Sequence, residues 1–266
     1  MDNRGQNQPI MQYGGDSSLG KTPKHTAFYY AEVTQAAPSS GKAAGGRRRR
    51  AAWHRGLTMD YITAKHLLHR NKSTEWFGTD HTMNIYRGCC HGCLYCDSRS
   101  SCYQNPDFDR VKVKADALRI LRDDLARKAK PAFITMGSMS DPYNPFEKDL
   151  QLTRHALELI DAYRCGVAAA TKSGLIVRDI DLYQMIQEHA PVICKITVTT
   201  ADDALAAKIE PHAPPPSQRL TALEKLSGTG VFAGVLLMPV LPYVADSAEN
   251  VLSVVDSAAR AGAKFI

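Results

Sequence analysis

The sequence predicts an α/β protein, a partial (β/α)6 TIM-like barrel of parallel strands preceded by a disordered basic N-terminal arm. Three observations predict it. From Gly56 onward, short β-rich runs alternate with amphipathic helical stretches; this order favours a parallel sheet, wrapped as a barrel or left open and doubly wound, with function at the C-terminal strand ends. Before it, residues 1–55 are rich in Gly, Ser, Gln and Ala, show no apolar period, and carry Arg47 to Arg50 near their end, the composition of a solvated basic arm. The charge is divided accordingly. Residues 1–55 hold nine Lys/Arg against three Asp/Glu, which is +6, and residues 56–266 hold 24 of each, which is zero.

The candidate strands are Met83 to Arg87, Ala132 to Met136, Gly166 to Thr171, Cys194 to Thr200, Val231 to Met238 and Ala263 to Ile266, each a β-branched or apolar run bounded by turn residues. Helical periodicity falls between them, at about Lys114 to Lys128, Leu150 to Tyr163, Asp179 to His189, Ser217 to Ser227 and Ser247 to Arg260. In the first helix, Ala117, Ile120, Leu121 and Leu125 make one buried stripe. Two domains follow: the arm over 1–55 and the barrel over 56–266. The last apolar strand has no cap after it, so further C-terminal residues are expected in the natural protein.

At 266 residues, with 44% hydrophobic and 23% charged, the chain can bury a full core. Collagen-like and wholly disordered classes are excluded. The longest apolar run, Val231 to Val240, is about half of the ~20 residues that a spanning helix needs, and no secretory h-region opens the chain, so a cytoplasmic protein without a membrane span is expected. Seven cysteines are then read in a reducing compartment. Four of them lie between Cys89 and Cys96, which suits metal or cluster ligation better than disulfides.

That segment, Met83-Asn-Ile-Tyr-Arg-Gly-Cys-Cys-His-Gly-Cys-Leu-Tyr-Cys96, contains Cys89-x3-Cys93-x2-Cys96 directly after the first strand. Three thiolates on one short loop can cap three irons of a cubane 4Fe-4S cluster and leave the fourth without a protein ligand. The amino and carboxylate groups of S-adenosylmethionine could fill that vacancy. Cys90 sits inside the loop as a fourth thiol and reads as a bystander. A closed zinc site completed by Cys102 or His91 is the competing reading; zinc motifs usually pair two separated ligand couples, and no second Cys-x2-Cys follows here.

The spacing, Tyr95 before the last Cys and the βα order resemble the radical S-adenosylmethionine superfamily. Further segments are similar to its spore photoproduct lyase-like group: Asn84 to Cys89, Ser140-Asp-Pro-Tyr-Asn-Pro145, Thr171-Lys-Ser173 with Arg178 to Asp181, Thr199 to Asp202, and Ile209-Glu-Pro211 followed by Arg219 and Leu220. The resemblance covers about Tyr61 to Ile266. It implies that Cys89, Cys93 and Cys96 hold the cluster, and that Tyr95, Ser140, Lys172 and Thr199 face S-adenosylmethionine, with Ser140 and Lys172 near its carboxylate. It also implies reductive cleavage of that cofactor to a 5'-deoxyadenosyl radical, a reductant such as flavodoxin or ferredoxin, and DNA lesion repair as a candidate specificity.

One departure limits the carry-over. Lyases of that group use a Cys hydrogen donor after the second strand, where this chain has Ser138-Met139-Ser140, and a hydroxyl O-H is too strong to yield its hydrogen atom readily. The alternative class is a non-enzymatic, cluster- or zinc-bearing nucleic-acid-binding protein whose Arg run carries affinity.

Overall fold

The computed structural model describes residues 60–266; the expected arm, residues 1–55, lies outside them. In chain order the strands are β1 (Asp60–Ile62), β2 (Leu68–Arg70), β3 (His81–Met83), β4 (Tyr86–Arg87), β5 (Lys112–Lys114), β6 (Phe133–Met136), β7 (Gly166–Thr171), β8 (Val192–Thr197) and β9 (Ala233–Leu236). The main sheet has the order β2-β3-β6-β7-β8-β9, and a small sheet has the order β1-β5-β4. In the main sheet all neighbours from β3 to β9 are parallel and only the edge strand β2 is antiparallel; in the small sheet β1 and β5 are parallel and β4 and β5 antiparallel. This is the expected α/β architecture, a parallel βα sheet of the partial-barrel kind.

The helices are α1 (Ala117–Ala126), α2 (Glu147–Leu150), α3 (Leu152–Ala162), α4 (Ile180–Gln187), α5 (Asp203–Ile209), α6 (Pro216–Gly228) and α7 (Ala248–Arg260). Their starts are encoded locally. Asp202 accepts from the Ala204 N-H at 2.7 Å to cap α5, and Ser247 accepts from Asn250 N-H to cap α7, each satisfying a donor that the first turn leaves free. Pro216 opens α6, where a missing N-H costs nothing.

The core lies between these helices and one face of the sheet. Leu121, Leu157, Ile160, Ile186 and Leu223 pack there against Val167, Cys194, Ile196 and Val235, all fully buried. In β7, Gly166-Val-Ala-Ala-Ala-Thr171 is rich in a good helix former, yet it is a central strand between β6 and β8. Small side chains admit the neighbouring layers, and packing overrides propensity. The inner face of the sheet is correspondingly small at this level, where register sets Ala170 and Gly234 on either side of Lys195.

Several expected elements differ. The run Met83 to Arg87 is not one strand: β3 ends at Met83, and Tyr86 and Arg87 pair with β5 in the small sheet. Two separate pairing partners pull the run apart. The fourth and fifth strands are shorter than expected and stop at Thr197 and Leu236. Residues Ala263 to Ile266 form no regular strand, although Lys264 N-H donates to the Ala233 carbonyl at 2.8 Å and Val235 N-H to that of Phe265 at 3.0 Å. The segment thus occupies the sixth position without a full ladder. Met238 and Val240, beyond the end of β9, are nearly half exposed. No helix among the described residues is long and apolar enough to cross a membrane.

Candidate functional site

The cysteine loop directly follows β4 of the small sheet, a few residues beyond the C-terminal end of β3 in the main sheet. Gly88, at φ +83°, starts it, and a Cβ there would lie 2.4 Å from the Phe108 carbonyl oxygen. Only glycine allows this approach. Phe108 then accepts from the Cys89 N-H at 2.9 Å. Farther along, Gly92 at φ +71° passes so close to His212 that a Cβ would stand 2.8 Å from its ring. His212 N-H donates to the His91 carbonyl, and Leu94 N-H to that of Ile209. The loop is therefore anchored at both ends, to the segment before β5 and to the segment after α5.

Cys93 is buried, and Cys89, Cys90 and Cys96 are half-buried. Burial, with the nearby Asp141 charge, pushes the Cys89 thiol up to about 12, and burial pushes Cys90 to about 11 and Cys93 upward. In the metal-free chain these are neutral thiols, so binding iron must displace their protons. Among the described residues no three His, Cys, Asp or Glu side chains converge as ligands of a single ion do; in a cubane each thiolate binds its own iron. Cys165 and Cys194 are buried as small hydrophobes, whereas Cys102 is exposed.

A polar set closes around Tyr95. Its hydroxyl donates to Glu210 Oε1 and stands 3.1 Å from Thr199 Oγ1, while the Lys172 ammonium lies 5.6 Å from its ring centre and 3.9 Å from Glu210 Oε1. Glu210 is held by Arg219, which also donates to the Thr197 carbonyl at 3.1 Å and to that of Pro214 at 2.7 Å. Both partners are almost fully buried. Burial opposes the Glu210 charge, but Arg219 and Lys172 more than offset it and keep the carboxyl below its ordinary value. For the Tyr95 phenol, burial and the Glu210 charge act together and raise it. Tyr95, Lys172 and Thr199, named separately in the sequence, thus meet at one place.

Ser140 is buried at a distance from that set. Its hydroxyl donates to the Tyr86 carbonyl at 3.0 Å and lies 3.5 Å from Asn84 Oδ1, and Ser138 accepts from Asn84 Nδ2 at 3.3 Å. Ser140 thereby braces β4 against the loop after β6. Sequence reasoning missed Glu147 altogether. It is fully buried, accepts from the Tyr86 hydroxyl and the Thr153 N-H (2.8 Å), and faces Arg178 at 3.2 Å. The signal was present in the Arg178-Asp179 pair, whose basic partner needed an acid from another element. His91, in the middle of the cysteine loop, is buried with Nδ1 3.5 Å from Asp141 Oδ2.

A parallel βα sheet with a multi-cysteine loop at one strand end defines a class of cluster-dependent enzyme. The family model of the radical SAM superfamily matches residues 83–255, and the chain belongs to that superfamily, whose members are enzymes. Its cofactors are a 4Fe-4S cluster and S-adenosylmethionine. An uncharacterized protein of Mycobacterium tuberculosis is 29% identical over 221 residues, covering 80% of this chain and 65% of that protein. One from Methanocaldococcus jannaschii is 32% identical over 171 residues, 64% of this chain and 63% of the relative. The chain thus spans less than two thirds of the length of these relatives. Among solved structures, spore photoproduct lyase complexed with dinucleoside spore photoproduct superposes with a TM-score of 0.58 at 16% identity, over 76% of this chain and 57% of that one. A variant of that lyase with bound AdoMet and the same dinucleoside gives 0.56 at 15%, with equal coverage. These two show a shared fold.

The residues present fit both cofactors. Thiols are the donors that hold iron-sulfur clusters, and the loop carries four of them. Beside it, one ammonium, two hydroxyls and a carboxylate offer partners for the amino, carboxylate and ribose groups of S-adenosylmethionine.

Proposed function

We propose that this protein is a radical enzyme that cleaves S-adenosylmethionine reductively, with Cys89, Cys93 and Cys96 as the cluster ligands and Cys90 as a bystander. When bound, the cluster supplies the electron that splits the sulfonium into methionine and a 5'-deoxyadenosyl radical, which abstracts a substrate hydrogen. The protein's own residues bind and orient. Lys172 faces the cofactor carboxylate, Thr199 and Tyr95 offer hydroxyls, and Ser140 braces β4, which leads into the cysteine loop. Glu210, held by Arg219, keeps Tyr95 in place and balances Lys172 before the carboxylate arrives. The single observation that carries this reading is the meeting of Tyr95, Lys172, Thr199 and Glu210 beside the cysteine loop. A reductant of the flavodoxin or ferredoxin kind delivers the electron, and the protein works in the cytoplasm, where thiols stay reduced.

For the substrate we propose a DNA lesion of the thymine-dimer kind, supported by the fold shared with spore photoproduct lyase and by the Arg47 to Arg50 run. The hydrogen must then return from a group other than Ser138. Two assays separate the proposals. Anaerobic reconstitution followed by dithionite and S-adenosylmethionine should release 5'-deoxyadenosine well above a cluster-free control, and no release would refute cofactor cleavage. An oligonucleotide bearing the spore-type dimer should regain two unlinked thymine residues within the strand; release of 5'-deoxyadenosine with the lesion untouched would reject only the substrate.

A further inference from the structure

Asp141 opens an Asp-Pro turn in the loop after β6. In the structure it is a buried carboxylate that accepts from its own loop and from the end of β7, and faces His91 of the cysteine loop. Its Oδ1 takes the Thr171 hydroxyl at 2.6 Å and the Tyr143 N-H at 2.8 Å; its Oδ2 takes the Lys172 N-H at 2.9 Å and faces His91 Nδ1 at 3.5 Å. Three donors converge on its two oxygens, and the His91 ring faces the second of them. Thr171 Oγ1 in turn accepts from the Ser173 N-H at 2.9 Å. The peptide N-H groups of Lys172 and Ser173 are thus both fixed, one directly and one through a hydroxyl.

Successive residues of a strand point to opposite faces. Thr171 turns to the side where Asp141 sits, and Lys172 turns to the other, toward Tyr95 and Glu210. We propose that Asp141 is a positioning residue for cofactor binding. It locks the backbone at the end of β7 from behind and ties it through His91 to the cysteine loop, so that the Lys172 ammonium and the loop hold one relative placement. The inference rests on the cofactor-facing role of Lys172 proposed above. An amide cannot replace the carboxylate, because its NH2 would point a donor at a donor.

The test uses cluster-loaded protein carrying Asp141→Asn, with the near-isosteric Thr171→Val as a milder variant. S-adenosylmethionine is titrated against the electron paramagnetic resonance spectrum of the reduced cluster, and hydrogen exchange is followed at the Lys172 and Ser173 amides. Asp141→Asn should raise the half-saturating concentration about tenfold, the loss of one charge-assisted hydrogen bond, while iron content and the saturated spectrum stay as in wild type. Exchange at both amides should quicken, and Thr171→Val should move both readouts the same way by less. A folded Asp141→Asn variant with wild-type half-saturation overturns the proposal, even if its melting point falls. Should that variant not fold, an unmoved Thr171→Val titration overturns it equally. A wild-type spectrum indifferent to S-adenosylmethionine would instead defeat the site reading itself, and this inference with it.

Discussion

At the scale of single residues, the cysteine loop gives the most specific expectation. Cys89→Ser, Cys93→Ser and Cys96→Ser should each lose most of the bound iron after anaerobic reconstitution, whereas Cys90→Ser should keep it; iron and sulfide analysis of the purified variants checks this. A second expectation concerns Lys195 on the inner face of β8. Its side chain is buried, its ammonium lies 4.4 Å from the Phe77 ring centre, and among the described residues it has no carboxylate partner. Burial pushes it down to about 8 from an ordinary 10.5. Below pH 8 the native state must carry a charge that its surroundings disfavour. Between pH 8 and 10.5 the unfolded chain still binds the proton that the folded chain has released, so stability climbs with pH by up to about 3 kcal/mol. Lys195→Met should therefore be more stable than wild type near pH 7, with the gap closing toward pH 10.5. Urea melts across that range decide it, and parallel pH profiles would contradict it. Residue-level chemistry was legible where its parts are neighbours in sequence, as in Cys89 to Cys96. Asp141 and Glu147 act through partners 30 and more positions away, and local pattern carries no record of such pairing.

At the scale of elements, the loop's shape depends on its glycines. Gly88→Ala would force a Cβ toward the Phe108 carbonyl at a φ that side chains resist. The expected cost is about 2 kcal/mol, read as a fall in Tm of about 5 °C, together with poorer iron loading because Cys89 shifts with it. Wild-type Tm and loading would show that the loop tolerates the move. Helices were readable because a stripe such as Ala117, Ile120, Leu121 and Leu125 records burial directly, and α1, α3, α4, α6 and α7 fall where that period predicts. The short strands β1, β2 and β5 were not readable. Three residues cannot express an alternation, and their pairing is set by the chain that surrounds them. The seven-residue helix α5 escaped for the same reason.

At the scale of the whole molecule, the parallel sheet gathers the ends of β3, β6, β7 and β8 on one side. Residues as far apart in sequence as Tyr95, Lys172, Thr199 and Glu210 meet there because the βα order returns each strand in the same direction. Fold class was legible from that order alone, and Glu210 and Arg219 stood out among the resembling segments; that their pair lies almost fully buried beneath Tyr95 was not. Glu210→Gln should show how far the pair matters. It leaves Arg219 buried without its counter-charge, a loss of about 3 kcal/mol that chemical denaturation would register, and Glu210→Gln with unaltered stability would mean that the pair is not structural.

The proposed site would hold a cubane by three thiolates and leave one iron for S-adenosylmethionine. Mössbauer spectroscopy of the 57Fe-reconstituted protein, recorded with and without S-adenosylmethionine, examines that iron by itself. The account predicts that adding the cofactor shifts the signal of a single iron site and leaves the others unmoved; a spectrum in which no site responds, or a protein that takes up only one tetrahedral metal ion, would contradict it.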